Sequence, residues 1–81
     1  MEFVRALGAE VRVRRVWIKL TRAELARRSG LSPARIAVVE AGDPHLDLLQ
    51  LASLAAGLGI ALRILLRRAE RRAGWRSKPG G

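Results

Sequence analysis

The feature that most constrains this fold is a glycine turn between two short helical segments within residues 20–42. Thr21 begins the motif Thr-Arg-Ala-Glu, which has the form of a capping box and predicts a helix start. Gly30 suits the left-handed conformation that commonly ends a helix. Ser32 and Pro33 then favour a second helix, because serine is a good N-cap and proline loses no needed hydrogen bond at the first helical position. Two short helices joined by a tight turn are therefore predicted.

Two further helices flank this pair. Apolar residues recur at helical spacing over residues 2–18 and again over residues 46–58. The predicted fold class is mainly α, with four helices arranged as a helix-turn-helix domain over residues 1–59. A helix-turn-helix places its second helix in the DNA major groove, although an αα-hairpin with no DNA role has the same local pattern. The apolar positions are Phe3, Leu7, Val11, Ile18, Leu48, Leu51, Leu54, Ala55 and Leu58.

After Gly59 the apolar residues alternate with a period of two, which favours a β-strand over residues 60–68. An amphipathic helix is the rival interpretation, because Leu62, Leu65, Leu66 and Ala69 also share a helical face. An isolated apolar strand would invite aggregation, and pairing with a symmetry-related copy would cover it. We therefore expect a homodimer in which the buried residues are Ile60, Leu62, Ile64 and Leu66.

The net charge of +9 is concentrated near the carboxy terminus, where the last 23 residues carry seven basic side chains and one acidic side chain. Such density favours a polyanionic partner, either nucleic acid or an anionic membrane surface. Residues 69–81 are predicted to be a basic, flexible tail. This tail has three open interpretations: a non-specific grip on the DNA backbone, an acidic groove on a partner protein, or a solvated end. The basic end to which these interpretations apply begins just before the tail, and its charged and aromatic residues are Arg67, Arg68, Arg71, Arg72, Trp75, Arg76 and Lys78.

No catalytic or metal-binding set is visible in the sequence. The chain has no cysteine and one histidine, His45, which sits beside a proline in a turn. It also lacks a glycine-rich phosphate loop and metal-ligand spacing, so we expect no enzyme, no cofactor and no metal. The amino terminus lacks the basic start and apolar run of a secretory signal, and no apolar stretch reaches 18 residues. A cytoplasmic protein without a membrane span is expected.

The segment LTRAELARRSGLSPARIAVVEAG, residues 20–42, resembles the helix-turn-helix of the λ-repressor and Cro family, also called XRE. The agreement extends to Leu58-Gly59 and to Val11-Arg12-x-x-Arg15. A leucine-glycine helix end that runs into alternating apolar residues is similar to antitoxin-type members, in which a strand pairs with its twofold mate.

The resemblance implies roles for individual residues. Arg22 would contact phosphate at the start of the second helix, and the third helix would face the groove. Arg35 is the one groove-facing side chain able to read guanine bidentately, although a solvated surface arginine is the plain alternative. Arg15 and Glu40 match a structural ion pair of the family. The implied DNA-binding residues are Thr21, Arg22, Ser32, Pro33, Ala34, Arg35, Ala37 and Val38.

The sequence also departs from the family pattern. The third helix offers proline, alanine and valine where relatives usually have polar side chains. The following loop carries Asp43 and Asp47, which would repel phosphate. Sequence-specific reading is therefore expected to be modest.

Three functions remain open at this stage. The first is a repressor that binds double-stranded DNA as a homodimer. The alternative is an antitoxin that neutralises a toxin protein and represses its own operon. The third is a cationic membrane-surface peptide that uses residues 60–76 as an amphipathic helix.

Overall fold

A computed structural model describes residues 2–74, and within that range the secondary structure is five helices with no strand. The first four lie close to their predicted positions, and a fifth follows them. Their bounds are α1 Phe3–Trp17, α2 Arg22–Ser29, α3 Pro33–Glu40, α4 Leu48–Gly57 and α5 Leu62–Ala73.

The predicted helix boundaries of the central pair are confirmed by their caps. The Thr21 hydroxyl accepts a hydrogen bond from the Glu24 amide at 3.0 Å, and the Glu24 carboxylate accepts one from the Thr21 amide at 2.9 Å. The Ser32 hydroxyl accepts from the Arg35 amide at 3.0 Å, with Pro33 opening α3. Gly30 has a φ of +73°, which glycine adopts without steric cost and which ends α2.

The helices pack around one apolar core to which every helix contributes. α1 makes its most extensive contact with α5 and also packs on α3, while α2 packs on both α3 and α4. In this arrangement one face of α3 packs against the core, and its opposite face is exposed to solvent. The largest fully buried side chains are Val11, Leu25, Ile36, Val39, Leu54, Leu58 and Leu65.

The prediction of a C-terminal strand over residues 60–68 was wrong, because Leu62–Ala73 forms a helix. Leu65 and Ala69 are both fully buried. A strand that buried Ile64 and Leu66 would have turned Leu65 toward solvent, because side chains alternate between the two faces. Burial follows the helical period instead, so the rival interpretation is the correct one.

The end of α4 explains why this segment does not begin as a strand. Gly59 is left-handed with a φ of +64°, and the amide of Ile60 donates to the carbonyl of Ala55 at 3.1 Å. This bond closes the last turn of α4, so the Ile60 amide is engaged in capping. Ala61 then has extended backbone and starts α5 without a side-chain cap, so the sequence carried no polar helix-start signal here.

The predicted intermolecular sheet is therefore corrected as well. Ile60, Leu62 and Leu66 are partly buried and pack against the protein's own core, and Ile64 is partly buried on α5. The apolar face of α5 is likewise engaged by the core, which argues against the proposed membrane-surface helix. No single helix within residues 2–74 is long and apolar enough to cross a membrane; α4 and α5 together reach that length, but they are bent by 102° at their break.

Candidate nucleic-acid interface

Helix α3 presents an exposed outer face built almost wholly from small and apolar side chains. Ile36 and Val39 point inward and are buried, which anchors the helix. Pro33, Ala34 and Val38 are exposed on the other side. The amino-terminal turn of α3 is therefore open, as insertion into a major groove requires.

The start of α2 is linked to the end of α3 by the hydrogen bond from Arg22 to Glu40 and carries the second set of implied residues. The capping box occupies the amides of Thr21 and Glu24, and Arg22 follows the cap. The backbone hydrogen bond from Thr21 lowers the pKa of Glu24 below its usual value. The positive end of the helix dipole and the Arg22 guanidinium together make this end suited to a phosphate.

Arg15, Glu40 and Arg22 form one ion cluster that links α1, α2 and α3. Arg15 donates from Nε to Glu40 Oε2 at 2.6 Å and from Nη2 to Oε1 at 3.1 Å, and its Nη1 donates to the Leu20 carbonyl at 3.0 Å. Arg22 Nε donates to Glu40 Oε1 at 3.1 Å. The Glu40 side chain is 2% exposed, whereas that of Arg22 is 47% exposed. The hydrogen bond to Glu40 raises the pKa of Arg15 above its already high value.

Arg35 is engaged by neighbouring side chains. Its Nη1 is ion-paired with Asp43, and its Nη2 donates to Gln50 Oε1 at 2.8 Å. The Asp43 side chain is 8% exposed, so this pair is largely shielded from solvent. The guanidinium therefore ties the first turn of α3 to the next loop and to α4, and it does not extend freely toward a base.

The two aspartates of the loop after α3 are also engaged. Asp43 Oδ1 accepts from the backbone N–H of His45 at 2.9 Å, and this bond, with Arg35, holds the pKa of Asp43 below its usual value. Asp47 caps α4 by accepting from the Gln50 amide at 2.7 Å. The Asp43 charge is offset by Arg35, so the loop is less repulsive to phosphate than its sequence suggested.

The structure thus links Arg22 to the end of α3 through Glu40 and ties Arg35, in the first turn of α3, to Asp43 and Gln50. The sequence did not indicate Asp43 and Gln50 as partners of Arg35. They lie 8 and 15 positions after it, and such separations match no helical or strand periodicity. The outward side chains of α3 are small and apolar, so this face can recognise DNA by shape and by contact with thymine methyl groups. Reading bases by hydrogen bonds would need polar side chains that these positions do not carry. Among residues 2–74, no cluster of three metal-ligating side chains occurs.

The basic carboxy-terminal residues divide between helix α5 and the region beyond it. Arg67, Arg68 and Arg71 are exposed on α5, and Arg72 Nε donates to Glu10 Oε1 of α1 at 2.9 Å. Residues 69–73, which the sequence analysis assigned to the tail, therefore lie in α5. The remaining tail residues, Trp75, Arg76 and Lys78, lie outside the described residues.

Comparison with known proteins identifies the family. A model of the helix-turn-helix family matches residues 11–65. The restriction-modification controller protein C.AhdI from Aeromonas hydrophila is similar in structure, with 31% identity and a TM-score of 0.73, over 76% of this chain and 94% of that one. A search of curated proteins found no match.

Two further solved structures share the fold. The clp gene regulator ClgR from Corynebacterium glutamicum has 31% identity and a TM-score of 0.81, over 88% of this chain and 92% of that one. The wild-type restriction-modification controller protein C.Esp1396I has a TM-score of 0.83 at 17% identity, over 88% of this chain and 92% of that one, and shows the fold alone. The family and these neighbours are regulators, which supports the expectation of no enzyme indirectly. The chain belongs to the helix-turn-helix family, in its XRE-type class of DNA-binding transcription regulators.

Proposed function

We propose that this protein is a sequence-specific repressor that binds double-stranded DNA as a homodimer, with α3 of each copy in a major groove. The observation that carries the proposal is the open first turn of α3, where Pro33 and Ala34 are exposed; Arg22 at the start of α2 is linked to the other end of α3 through Glu40. Family membership and the two regulators at 31% identity support it. Repression would follow from occupying a promoter and blocking polymerase.

The groove contacts assign different roles to the exposed residues. Pro33, Ala34, Ala37 and Val38 carry no hydrogen-bonding side-chain group, so they would discriminate through shape and thymine methyl groups. Thr21, Arg22 and the Ser32 region would position the protein on phosphates. Specificity therefore rests on apolar contact, with base readout weaker than in relatives with polar third helices.

Homodimerisation is part of the proposal because a single eight-residue helix reads only a short half-site. Two copies related by a twofold axis would place their α3 helices about 34–36 Å apart, one DNA turn. Ile60, Leu62, Ile64 and Leu66 keep partial exposure and could join a helix-mediated contact between copies. The antitoxin alternative rested on the size of the chain, the strand and the basic tail; because the strand is a helix, we do not propose a toxin partner.

The proposal is tested by selecting duplexes from a random library with the full chain and measuring affinity by fluorescence anisotropy. Val38→Asp places a carboxylate on the α3 face, and we expect at least about tenfold weaker binding to the selected duplex. Val16→Asp is the matched control, because Val16 is a comparably exposed valine (56% against 49%) on a different helix. Equal effects of the two variants would refute the assignment of α3.

The oligomeric part has its own test. Inserting five base pairs between the two selected half-sites turns them to opposite faces of the DNA, so dimer binding should be lost. Sedimentation of the protein–DNA complex gives its stoichiometry directly. Binding as a single copy that is unaffected by the insertion would overturn the homodimer.

A further inference from the structure

Helix α1 carries a cluster of exposed apolar side chains that the proposed function does not use. Val13, Val16 and Trp17 are 50%, 56% and 78% exposed and lie within one and a half turns of the same helix. Single exposed apolar residues are ordinary, but a contiguous group that includes a tryptophan marks an interaction surface. Tryptophan is also the residue that most often dominates the energy of an interface.

These side chains line an open groove of about 620 Å³ between α1 and α5. We call it the α1 groove. Its apolar floor is flanked by arginines, and its lining within residues 2–74 includes no acidic residue. The lining residues are Arg12, Val13, Arg14, Val16, Trp17 and Arg68.

The part of the α1 groove formed by Val13 and Trp17 lies on the opposite side of α1 from α3, whereas Arg12 at its edge lies about 40–60° from the α3-facing residues. Gly8 and Arg15 face α3, since Gly8 abuts the carbonyls at its end and Arg15 pairs with Glu40. Successive helical residues are rotated by about 100°, which places Val13 and Trp17 roughly 140–180° around α1 from those two residues. DNA bound on α3 would therefore leave the Val13 and Trp17 part of the groove accessible.

The charges around the groove favour an acidic occupant. Arg12 and Arg68 are exposed, and Arg14 is already used, donating to the carbonyls of Leu58 at 3.0 Å and Gly59 at 3.4 Å. A second copy of this chain has few carboxylates to offer in return. Those already engaged in ion pairs or helix caps are Glu10, Glu24, Glu40, Asp43 and Asp47.

Double-stranded DNA is a poor occupant as well, because its phosphates and sugars gain nothing from packing on valine and tryptophan side chains. We propose that the α1 groove binds an acidic amphipathic helical segment of another protein. The apolar side of that segment would pack on Trp17, and its carboxylates would pair with Arg12 and Arg68. This inference is independent of DNA binding by α3.

A direct test uses a fluorescein-labelled, 15-residue peptide with leucine and phenylalanine at helical spacing and glutamate elsewhere. Its binding to the full chain is followed by anisotropy, beside a scrambled peptide of the same composition. We expect the scrambled peptide to bind at least about tenfold more weakly, and Trp17→Ala to weaken the ordered peptide by at least about tenfold. Circular dichroism verifies that each variant is folded.

Charge reversal separates local pairing from overall attraction. Arg68→Glu should weaken binding of the peptide by at least about tenfold. Arg63→Glu is the control, because it gives the same net charge at an exposed site outside the groove, and it should leave peptide binding unchanged. The Val16→Asp variant should no longer bind the peptide but should still bind the duplex selected from the random library.

Several results would overturn the proposal. These are no binding of the ordered peptide, equal binding by Trp17→Ala, or equal weakening by the two arginine reversals. A loss of self-association in Trp17→Ala would make the groove a contact between copies. Binding to anionic vesicles that Trp17→Ala abolishes, without peptide binding, would make it a lipid site.

Discussion

The backbone of Gly8 in α1 lies directly against the carbonyl of Val39 in α3. A Cβ added at Gly8 would be 2.3 Å from the Val39 oxygen and 2.9 Å from the Glu40 oxygen. Alanine normally favours a helix over glycine by about 1 kcal/mol. Gly8→Ala should nevertheless lower the free energy of unfolding by about 1–3 kcal/mol, because two backbone segments must separate.

Gly57 in α4 provides the control for this prediction. A Cβ there would be 3.1 Å from the Leu25 Cδ1 atom and 3.3 Å from the Arg28 Cβ atom, so side chains could yield by small shifts. Urea denaturation should therefore show a smaller loss for Gly57→Ala than for Gly8→Ala. If Gly8→Ala matched the parent in stability, the close approach of α1 and α3 would be wrong.

Removing either partner of the Arg15–Glu40 pair should strongly destabilise the protein. The two side chains are 11% and 2% exposed, and breaking such a buried pair costs about 3–5 kcal/mol because one charge stays buried alone. Arg22→Ala is the comparison, since that side chain is 47% exposed and an exposed pair contributes about 1 kcal/mol or less. Thermal denaturation should give a far lower midpoint for Arg15→Ala than for Arg22→Ala. Equal midpoints would count against the buried pair.

The helix-turn-helix could be predicted from the sequence because its signals are local. The capping box at Thr21, the glycine at position 30 and the Ser32-Pro33 start each act over a few residues, and each has the predicted geometry. Arg35 shows the limit of such reasoning. Its partners Asp43 and Gln50 come from a loop and another helix, so only the folded chain brings the three together.

The fifth helix was mistaken for a strand because its start carries no cap and its first apolar residues fit both periods. The discriminating residues were Leu65 and Ala69, whose burial depends on where α1 and the core lie. Gly74 ends α5 in the left-handed conformation, with a φ of +81°, and follows Arg71 and Arg72. A glycine after basic residues is a sequence pattern typical of a helix end. This pattern at Gly74 therefore indicates a helix rather than a strand in the residues before it.

Adding the missing cap to α5 should stabilise the protein. Ala61 already has the extended backbone of an N-cap residue, with φ −64° and ψ 137°, but no side-chain acceptor. Ala61→Ser should raise the free energy of unfolding by about 0.5–2 kcal/mol by accepting from a first-turn amide. Ala52→Ser, an exposed position inside α4, should instead lower stability slightly. Stabilisation by both variants, or by neither, would contradict a cap at position 61.

Acid should weaken the interactions of Asp43. Its pKa is lowered in the folded protein by the His45 amide and by Arg35, so its stabilising effect is complete above the unfolded pKa of about 3.9. The effect is lost as the pH falls through the lower, folded pKa. The stability gap between the parent and Asp43→Asn should therefore shrink between about pH 5 and pH 2. A gap that stays constant over this range would show that the folded protein does not depress this pKa.

Because Arg35 is held by Asp43 and Gln50, we expect other residues of α3 to determine the base preference. Selection of DNA with Arg35→Ala, at a temperature where circular dichroism shows it folded, should return the same preferred bases as the parent. Ala34→Gln should add a preference for adenine at one position, because glutamine pairs bidentately with that base and discriminates by about 1–3 kcal/mol. If Arg35→Ala instead relaxed a guanine preference while Ala34→Gln changed nothing, Arg35 would leave Asp43 on binding and read the groove itself.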